Sequence, residues 1–251
     1  MPRFFVQDTD IVDGIVTLRG DDAHHISRSL RMAAGEHITV CDTRGRQFDC
    51  VLSGFCDVVT AKVVGECSVG RESSVRVHLF QALVKGDKLD TVIQKAVECG
   101  AVDITPFECR RCVVKVKREA ENERTQRRCR IALEAAKQCG RSIVPFVHPT
   151  VNFDDMLKYS ADHGGLIICY EGETTVSLRQ ELGRLRTKWR ENGQNDPEIC
   201  LAVGPEGGFE PGEVKRAIAS GARAVGLGPR ILRTETAAAF ALGGFTYEFE
   251  M

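Results

Sequence analysis

Nowhere in this sequence of 251 residues do apolar side chains run unbroken for the roughly 18–20 positions a membrane-spanning helix needs, so no such helix is expected. The opening segment, Met1–Asp8, holds no sustained apolar stretch and turns acidic at once. No secretion signal is therefore expected, and the chain is read as cytoplasmic. Net charge is also lacking, at −1, which by itself argues against a nucleic-acid partner. A disulfide framework is missing despite 11 cysteines: the number is odd, and Cys99, Cys139, Cys169 and Cys200 sit inside apolar patterns that suit buried, reduced thiols. Cys109 and Cys112 have C-x-x-C spacing, but no second pair or paired histidines follow to complete the about four ligands of a zinc site, so no metal is expected. Phosphate-binding signatures are absent as well. No G-x-x-x-x-G-K-[ST] occurs, and Glu206 stands where the second glycine of G-x-G-x-x-G would let a pyrophosphate approach.

What is present suits a globular protein with one large or two modest domains: 43% hydrophobic and 27% charged residues. Residues 4–70 are β-rich. Short segments at Ile15–Leu18, His37–Asp42, Gln47–Leu52 and Val58–Val64, broken by Gly and Asp, predict a small barrel. One helix interrupts it, capped by Asp21 or Asp22 and closed by Gly35, with Ala23, Ile26, Leu30 and Ala33 on its apolar face. Its other side carries His24, Arg28 and Arg31, a stripe that suits a phosphate backbone and suits plain solvent equally well.

The pattern changes around Gly70–Ser74, taken as the junction between domains spanning 1–72 and 73–251. Strands and helices then alternate, predicting an α/β domain with a largely parallel sheet. Val75, Val77 and Leu79 alternate as in a strand, and Leu89, Val92, Ile93, Ala96 and Val97 follow helical spacing up to Gly100. Further strands are predicted at Asp103–Phe107, Ile143–Val147, Leu166–Tyr170, Ile199–Val203 and Ala222–Leu227. Helices are predicted around Phe153–Tyr159 and over Ser177–Glu191, the latter exposed. Another, opened by Pro211, turns Val214, Ala217 and Ile218 inward, and Ala237–Phe245 forms the last. Charge is uneven here. Between Arg110 and Arg130 nine basic residues, including Lys117, face three acidic ones. Such a block is either a footprint for phosphates or a solvated helix face.

Two glycine/proline loops stand out, Gly204-Pro205-Glu206-Gly207-Gly208 and Gly228-Pro229, each leaving an apolar strand and leading into a helix. Ligands of open α/β sheets bind beyond the carboxyl ends of strands. Without the phosphate motifs, the glycines point to backbone N–H and C=O groups brought against a planar, uncharged ligand such as adenine, or else to tight turns alone.

These residues also carry a resemblance. The segments ALVKGDKLDTVIQKAVECG (Ala82–Gly100), EAAKQCGRSIVP (Glu134–Pro145), VGPEGGFE (Val203–Glu210) and LGPRILRTETA (Leu227–Ala237), with HHISRSLRM (His24–Met32), resemble the ribosomal RNA small-subunit methyltransferase E family of the SPOUT class along nearly the whole chain. The resemblance implies a PUA-like β-barrel RNA-binding domain followed by a SPOUT-type α/β domain with a C-terminal trefoil knot, an exception to the avoidance of knots. It implies a homodimer that transfers a methyl group from S-adenosylmethionine to N3 of a uridine in 16S ribosomal RNA, free or within the small ribosomal subunit. The methyl donor would contact Tyr170, Val203, Gly204, Pro205, Glu206, Gly207, Gly208, Leu227, Gly228, Ile231, Leu232 and Thr234. His24, Arg28, Arg31, Arg124, Arg127 and Arg128 would contact RNA. One departure is Arg128-Cys129-Arg130, where the family commonly has an aromatic residue.

The chemistry narrows the catalytic candidates. A uridine N3 must lose a proton before it attacks the methyl, and arginine, whose fixed charge cannot take that proton, can face the O2 or O4 of the anion. Arg230 and Arg233 in the second loop, with Arg3 from the first domain or a partner subunit, are the candidates. Arg233 has an alternative as an ion-pair partner of Glu206 or Glu235, and Thr234 and Thr236 as helix caps. No general base is assigned, because His24 and His25 lie in the barrel region.

Overall fold

The computed structural model describes residues 1–67, 72–116, 118–173 and 175–251, with only the backbone of Arg118. The expected junction at Gly70–Ser74 therefore lies partly outside the described residues, as does Lys117 of the basic block. The chain forms two compact units, Met1–Glu72 with Ala136–Val144, and Ser73–Ala135 with Pro145–Met251.

In the first unit, strands β1 (Arg3–Phe5), β2 (Ile11–Val12), β3 (Ile15–Leu18), β4 (His37–Cys41), β5 (Gln47–Phe55) and β6 (Val59–Cys67) form one sheet in the order β1-β4-β5-β6-β3-β2. Only β1 and β4 run parallel, with Phe4 opposite Val40. Alternate residues along the strands face inward. Phe4 and Val40 from one end of the sheet meet Val16 and Leu18 from the other in a single buried cluster, so the sheet curls as a barrel does. The β4–β5 turn is built by Asp42, whose Oδ1 accepts the N–H groups of Arg44 and Arg46, both at 2.9 Å. Ala136–Val144 is tied into this unit through Glu72. Its carboxylate accepts from Arg141 Nη2 at 2.6 Å and from the N–H of Ser142 at 2.8 Å. The sequence reading had placed that segment in the second domain.

The expected helix is corrected. Helix α1 covers only Gly20–His24, and a wider π-type turn over His25–Ser29 follows, closed by Leu30 N–H donating to His25 O at 2.9 Å. Arg19, not Asp21 or Asp22, occupies the cap position. The two aspartates lie in the first turn, where the helix dipole favours them. The wider turn changes the periodicity, so Ile26 is buried while Leu30 and Ala33 are exposed.

In the second unit, β7 (Arg76–Ala82), β8 (Asp103–Glu108), β9 (Phe146–Val147), β10 (Val151–Asn152), β11 (Leu166–Cys169), β12 (Glu198–Val203) and β13 (Arg223–Val225) form an all-parallel sheet, ordered β10-β8-β7-β12-β11-β13 with β9 also on β8. Between and after them run α2 (Lys88–Glu98), α3 (Glu121–Cys139), α4 (Phe153–Asp162), α5 (Leu178–Glu191), α6 (Pro211–Ala219) and α7 (Thr234–Glu250). Parallel strands linked by helices are covered on both faces. That is why β7 is buried from Val77 to Ala82 without the predicted alternation, polar His78 and Gln81 included.

Three further expectations are corrected. The Ile143–Val147 strand shrinks to β9, and Ile143 is exposed. Helix α5 is not an exposed helix: Leu178, Leu182, Leu185 and Trp189 are buried, and Ser177 and Gln180 form its capping box. In α6 Val214 and Ala217 turn inward, but Ile218 is exposed. Every cysteine is free, and among the described residues no group of His, Cys, Asp or Glu is arranged to hold a metal. No described helix is long and apolar enough to cross a membrane.

Candidate active site

Three loops leave the carboxyl ends of adjacent strands, after β11, β12 and β13, where open parallel sheets bind ligands. The loop after β12 is held at three points. Thr234, buried at the start of α7, donates its hydroxyl proton to Gly204 O at 2.7 Å. Glu206 accepts from Lys88 Nζ at 2.8 Å and from Lys85 N–H at 3.3 Å, which keeps its carboxyl below the usual range although burial opposes this. Arg111 Nη1 donates to Gly207 O at 2.8 Å. Phe209, fully buried, anchors the loop by stacking on Phe107 at 6.2 Å between ring centres. The capping box of α6 is made by Glu210 and Glu213, leaving Glu206 free for Lys88.

The loops after β11 and β13 are stitched together. Gly226 N–H donates to Val176 O at 2.8 Å, Leu178 N–H to Gly226 O at 3.0 Å, and Tyr170 N–H to Val225 O at 3.0 Å. A Cβ on Gly226 would fall 2.5 Å from Glu173 O, so only glycine lets the two backbones pass this closely. Beyond the stitch the chain is bare. Gly228 has φ +108 with open space beside it, and among the described residues the N–H groups of Leu227, Gly228, Ile231 and Leu232 find no partner. Ile231 is 89% exposed. The described side chains of Arg230 and Arg233 make no ion pair, so the Arg233 pairing with Glu206 or Glu235 is not formed. Unpaired backbone donors, an exposed apolar side chain and two uncommitted guanidiniums together form a surface for a ligand with a planar polar edge and a nearby anion.

Gln81 escaped the sequence reading. It sits beneath the first loop, completely buried, with Nε2 donating to Thr234 Oγ1 at 2.9 Å and to Ala82 O at 3.1 Å. Its Oε1 has no partner, nor does the buried Glu235 Oε2 nearby in the chain. The available signal was a polar residue one position before the end of β7, between Phe80 and Ala82. The other candidates lie in varied settings. Among the residues the resemblance assigns to the methyl donor, Val203, Gly204 and Pro205 are buried, Tyr170, Gly208 and Leu232 half-buried, and Glu206 and Gly207 exposed. Thr236 is exposed and no side chain caps α7. In the first unit Arg3 donates to Cys41 Sγ and Gln47 Oε1, both at 2.9 Å, while His24, Arg28 and Arg31 are exposed. On α3, Arg124 is half-buried and Arg127 is exposed and paired with Asp90. Arg128 is only 7% exposed and bound to Glu121 at 3.0 Å, where the family's aromatic residue was expected.

A cavity of about 310 Å³ lies elsewhere, at the amino ends of β11, β12 and β13, lined by Gly165, Glu181, Arg184, Ile199 and Arg223 among others. The carboxyl-end site is an open surface instead.

Parallel topology and ligand-ready loops define a class, and comparison with known proteins agrees. Residues 71–245 match the RNA methyltransferase domain family, and residues 18–54 the RNA methyltransferase PUA domain. Ribosomal RNA small subunit methyltransferase E of Bacillus subtilis (strain 168) is 32% identical, across 100% of this chain and 98% of its own. The crystal structure of the enzyme of that name from Neisseria gonorrhoeae, bound to S-adenosyl methionine, superposes with a TM-score of 0.84 at 30% identity, covering 98% of this chain and 97% of that one. A Legionella pneumophila methyltransferase structure with bound SAM gives 0.82 at 28% identity, covering 98% and 96%. The chain belongs to the ribosomal RNA small subunit methyltransferase E family.

Proposed function

We propose that this protein transfers the methyl group of S-adenosylmethionine to N3 of a specific uridine in 16S ribosomal RNA, acting as a cytoplasmic homodimer. The observation that carries the reading is the second loop, where Arg230 and Arg233 stand uncommitted beside the bare backbone edge of Leu227–Leu232. The donor supplies an electrophilic methyl on a sulfonium. The N–H groups of Leu227, Gly228, Ile231 and Leu232 would satisfy the polar edge of its adenine, and Ile231 would cover its ring.

The residues' part in the reaction is electrostatic. Once uridine N3 has lost its proton, negative charge spreads over O2 and O4, and a guanidinium fixed beside them lowers the barrier by about 3 kcal/mol. Arg230 and Arg233, both exposed and without an ion pair among the described residues, would take that task. Arg3 is left out because its guanidinium is already held by Cys41 and Gln47. Exposed His24, Arg28, Arg31 and Arg127, with half-buried Arg124, suit contacts with RNA phosphates, whereas buried Arg128 serves Glu121.

The last segment, from β13 to α7, would follow a knotted path. Phe240, Tyr247 and Met251 are exposed along one side of α7, an apolar strip that a second copy would cover. Calorimetry with S-adenosylmethionine and mass mapping of modified uridines in small-subunit RNA, from cells with and without the gene, test the reading. Donor binding and one uridine that loses its methyl with the gene are expected. An unchanged uridine pattern sinks the substrate assignment.

A further inference from the structure

At the carboxyl end of β8, Cys109 and Cys112 bracket a tight turn closed by Cys112 N–H donating to Cys109 O at 3.1 Å. Both thiols are free, each residue is 4% exposed, and the sulfurs lie 3.5 Å apart. A four-residue turn keeps its end Cα atoms within about 7 Å, while a disulfide spans about 4.4–6.8 Å. Bonding therefore requires the sulfurs to close from 3.5 Å to about 2.05 Å, with small adjustments of the turn.

The two residues inside the turn are the ones that grip the first loop and the helix after it. Arg111 donates to Gly207 O at 2.8 Å, and Arg110 N–H donates to Glu213 Oε1 at 2.9 Å. The Arg110 guanidinium also meets Glu210 at 3.3 Å. A change in the shape of the turn is thus passed directly to residues 207–213.

We propose that Cys109 and Cys112 form a reversible disulfide that loosens the Gly204–Gly208 loop, a modification site through which peroxide-class oxidants and dithiol reductants set affinity for the methyl donor. The consequence for the donor rests on the functional reading above, whereas the disulfide and its effect on the loop do not.

Cys112 is the attacking group. The Cys109 thiol 3.5 Å away and the Cys109 N–H, which donates to Cys112 Sγ at 3.3 Å, outweigh burial and hold the Cys112 thiol below its ordinary range. Cys109, as the donor of that thiol bond and buried, is pushed up. Burial holds Cys169 and Cys200 at about 12, which leaves them inert by comparison. The Cys112 thiolate attacks one oxygen of hydrogen peroxide; the O–O bond breaks, and the departing hydroxide takes a proton to become water. The Cys109 sulfur then attacks the resulting sulfenic acid. The S–O bond breaks, and hydroxide leaves with the Cys109 proton as a second water. Two thiols and one peroxide yield one disulfide and two waters. A dithiol reductant reverses the bond by exchange, its own thiols becoming a disulfide.

The test uses full-length protein, reduced and then treated with stoichiometric hydrogen peroxide. Tandem mass spectrometry should find a loss of about 2 Da on the peptide holding both cysteines, restored by dithiothreitol. Hydrogen exchange across residues 204–213 should rise several-fold on oxidation, and calorimetry should show donor affinity falling about tenfold, the scale of one lost charge-assisted hydrogen bond. Cys56→Ser, which removes an exposed thiol, should respond as the wild type does, and Cys109→Ser and Cys109→Ala should show no loss of about 2 Da, because the Cys112 sulfenic acid then has no neighbouring thiol to meet. Absence of a Cys109–Cys112 bond overturns the modification site, and a bond with unchanged exchange at 204–213 overturns the coupling. If exchange changes while neither redox form binds the donor, the switch stands and the functional reading fails.

Discussion

The two ends of the parallel sheet treat polar groups in opposite ways. At the amino end, Asp103 lies 2.8 Å from His78 Nδ1 and 3.5 Å from His148 Nε2. The Tyr159 hydroxyl is 3.3 Å from the same His78 nitrogen, and the Tyr159 ring stacks on His163 at 3.8 Å. Polar groups there are buried or half-buried and bound largely to one another, His78 Nε2 lying 3.5 Å from Glu198 without a hydrogen bond. At the carboxyl end, Arg230, Arg233 and the backbone N–H groups of Leu227, Gly228, Ile231 and Leu232 find no partner among the described residues, and neither does the buried Gln81 Oε1. A group already satisfied stabilises the fold, whereas one held in place but unsatisfied is available to a ligand. The same strands therefore carry stability at one end and, in the proposed function, recognition at the other.

The comparison breaks if a substitution at one end produces the effect expected of the other. The largest effect is expected from Arg230→Ala, which should slow methyl transfer about 100-fold while donor affinity by calorimetry stays nearly intact. An unchanged rate would remove it from the site.

Next comes Asp103→Asn. Burial alone would raise the Asp103 carboxyl, but hydrogen bonds from His148 and His78 prevail and hold it at about 2. Because the folded value is depressed, its stabilisation is present above the unfolded value of about 3.9 and is lost as pH falls through about 2. The substitution should cost about 2 kcal/mol at pH 7, with the deficit closing between about pH 4 and pH 2 in denaturant melts. Donor affinity should not move. A fall in affinity larger than the stability change explains would join the two ends.

Gln81→Leu sharpens the boundary, because Gln81 is buried like the amino-end groups yet serves the carboxyl-end loops through Thr234 and Gly204. Donor binding should weaken about tenfold. Thr234→Ser should preserve it and Thr234→Val should reproduce the loss. Equal affinity in all three would make the contact purely structural. The smallest effect is expected from Arg124→Gln with Arg127→Gln, which should lower the slope of RNA affinity against salt by up to about 2 without altering the rate at saturating RNA. Salt-independent binding would return α3 to the status of a solvated face.

Much of this organisation was legible from local pattern. Helical spacing located Leu89, Val92, Ile93, Ala96 and Val97, all buried in α2, and glycines marked both loops. The succession of strand and helix segments marked the parallel sheet. Where reading failed, tertiary packing had overridden the local signal. The π-type turn after His24 exposed Leu30, and burial on both faces of the sheet drew in His78 and Gln81. A basic block read as one charge distribution divided into Arg127, exposed and paired with Asp90, and Arg128, buried with Glu121.

The sequence by itself determined the α/β class and the two loops, because hydrophobic periodicity and glycine placement act over a few residues, and its motifs carried the resemblance to the family. Only the tertiary structure decided which polar groups are satisfied. It paired Glu206 with Lys88, tied Arg111 of the cysteine turn to Gly207, and left Arg230 and Arg233 unpaired. Hydrogen bonding and burial depend on partners brought together from distant parts of the chain, and the fold alone chooses them.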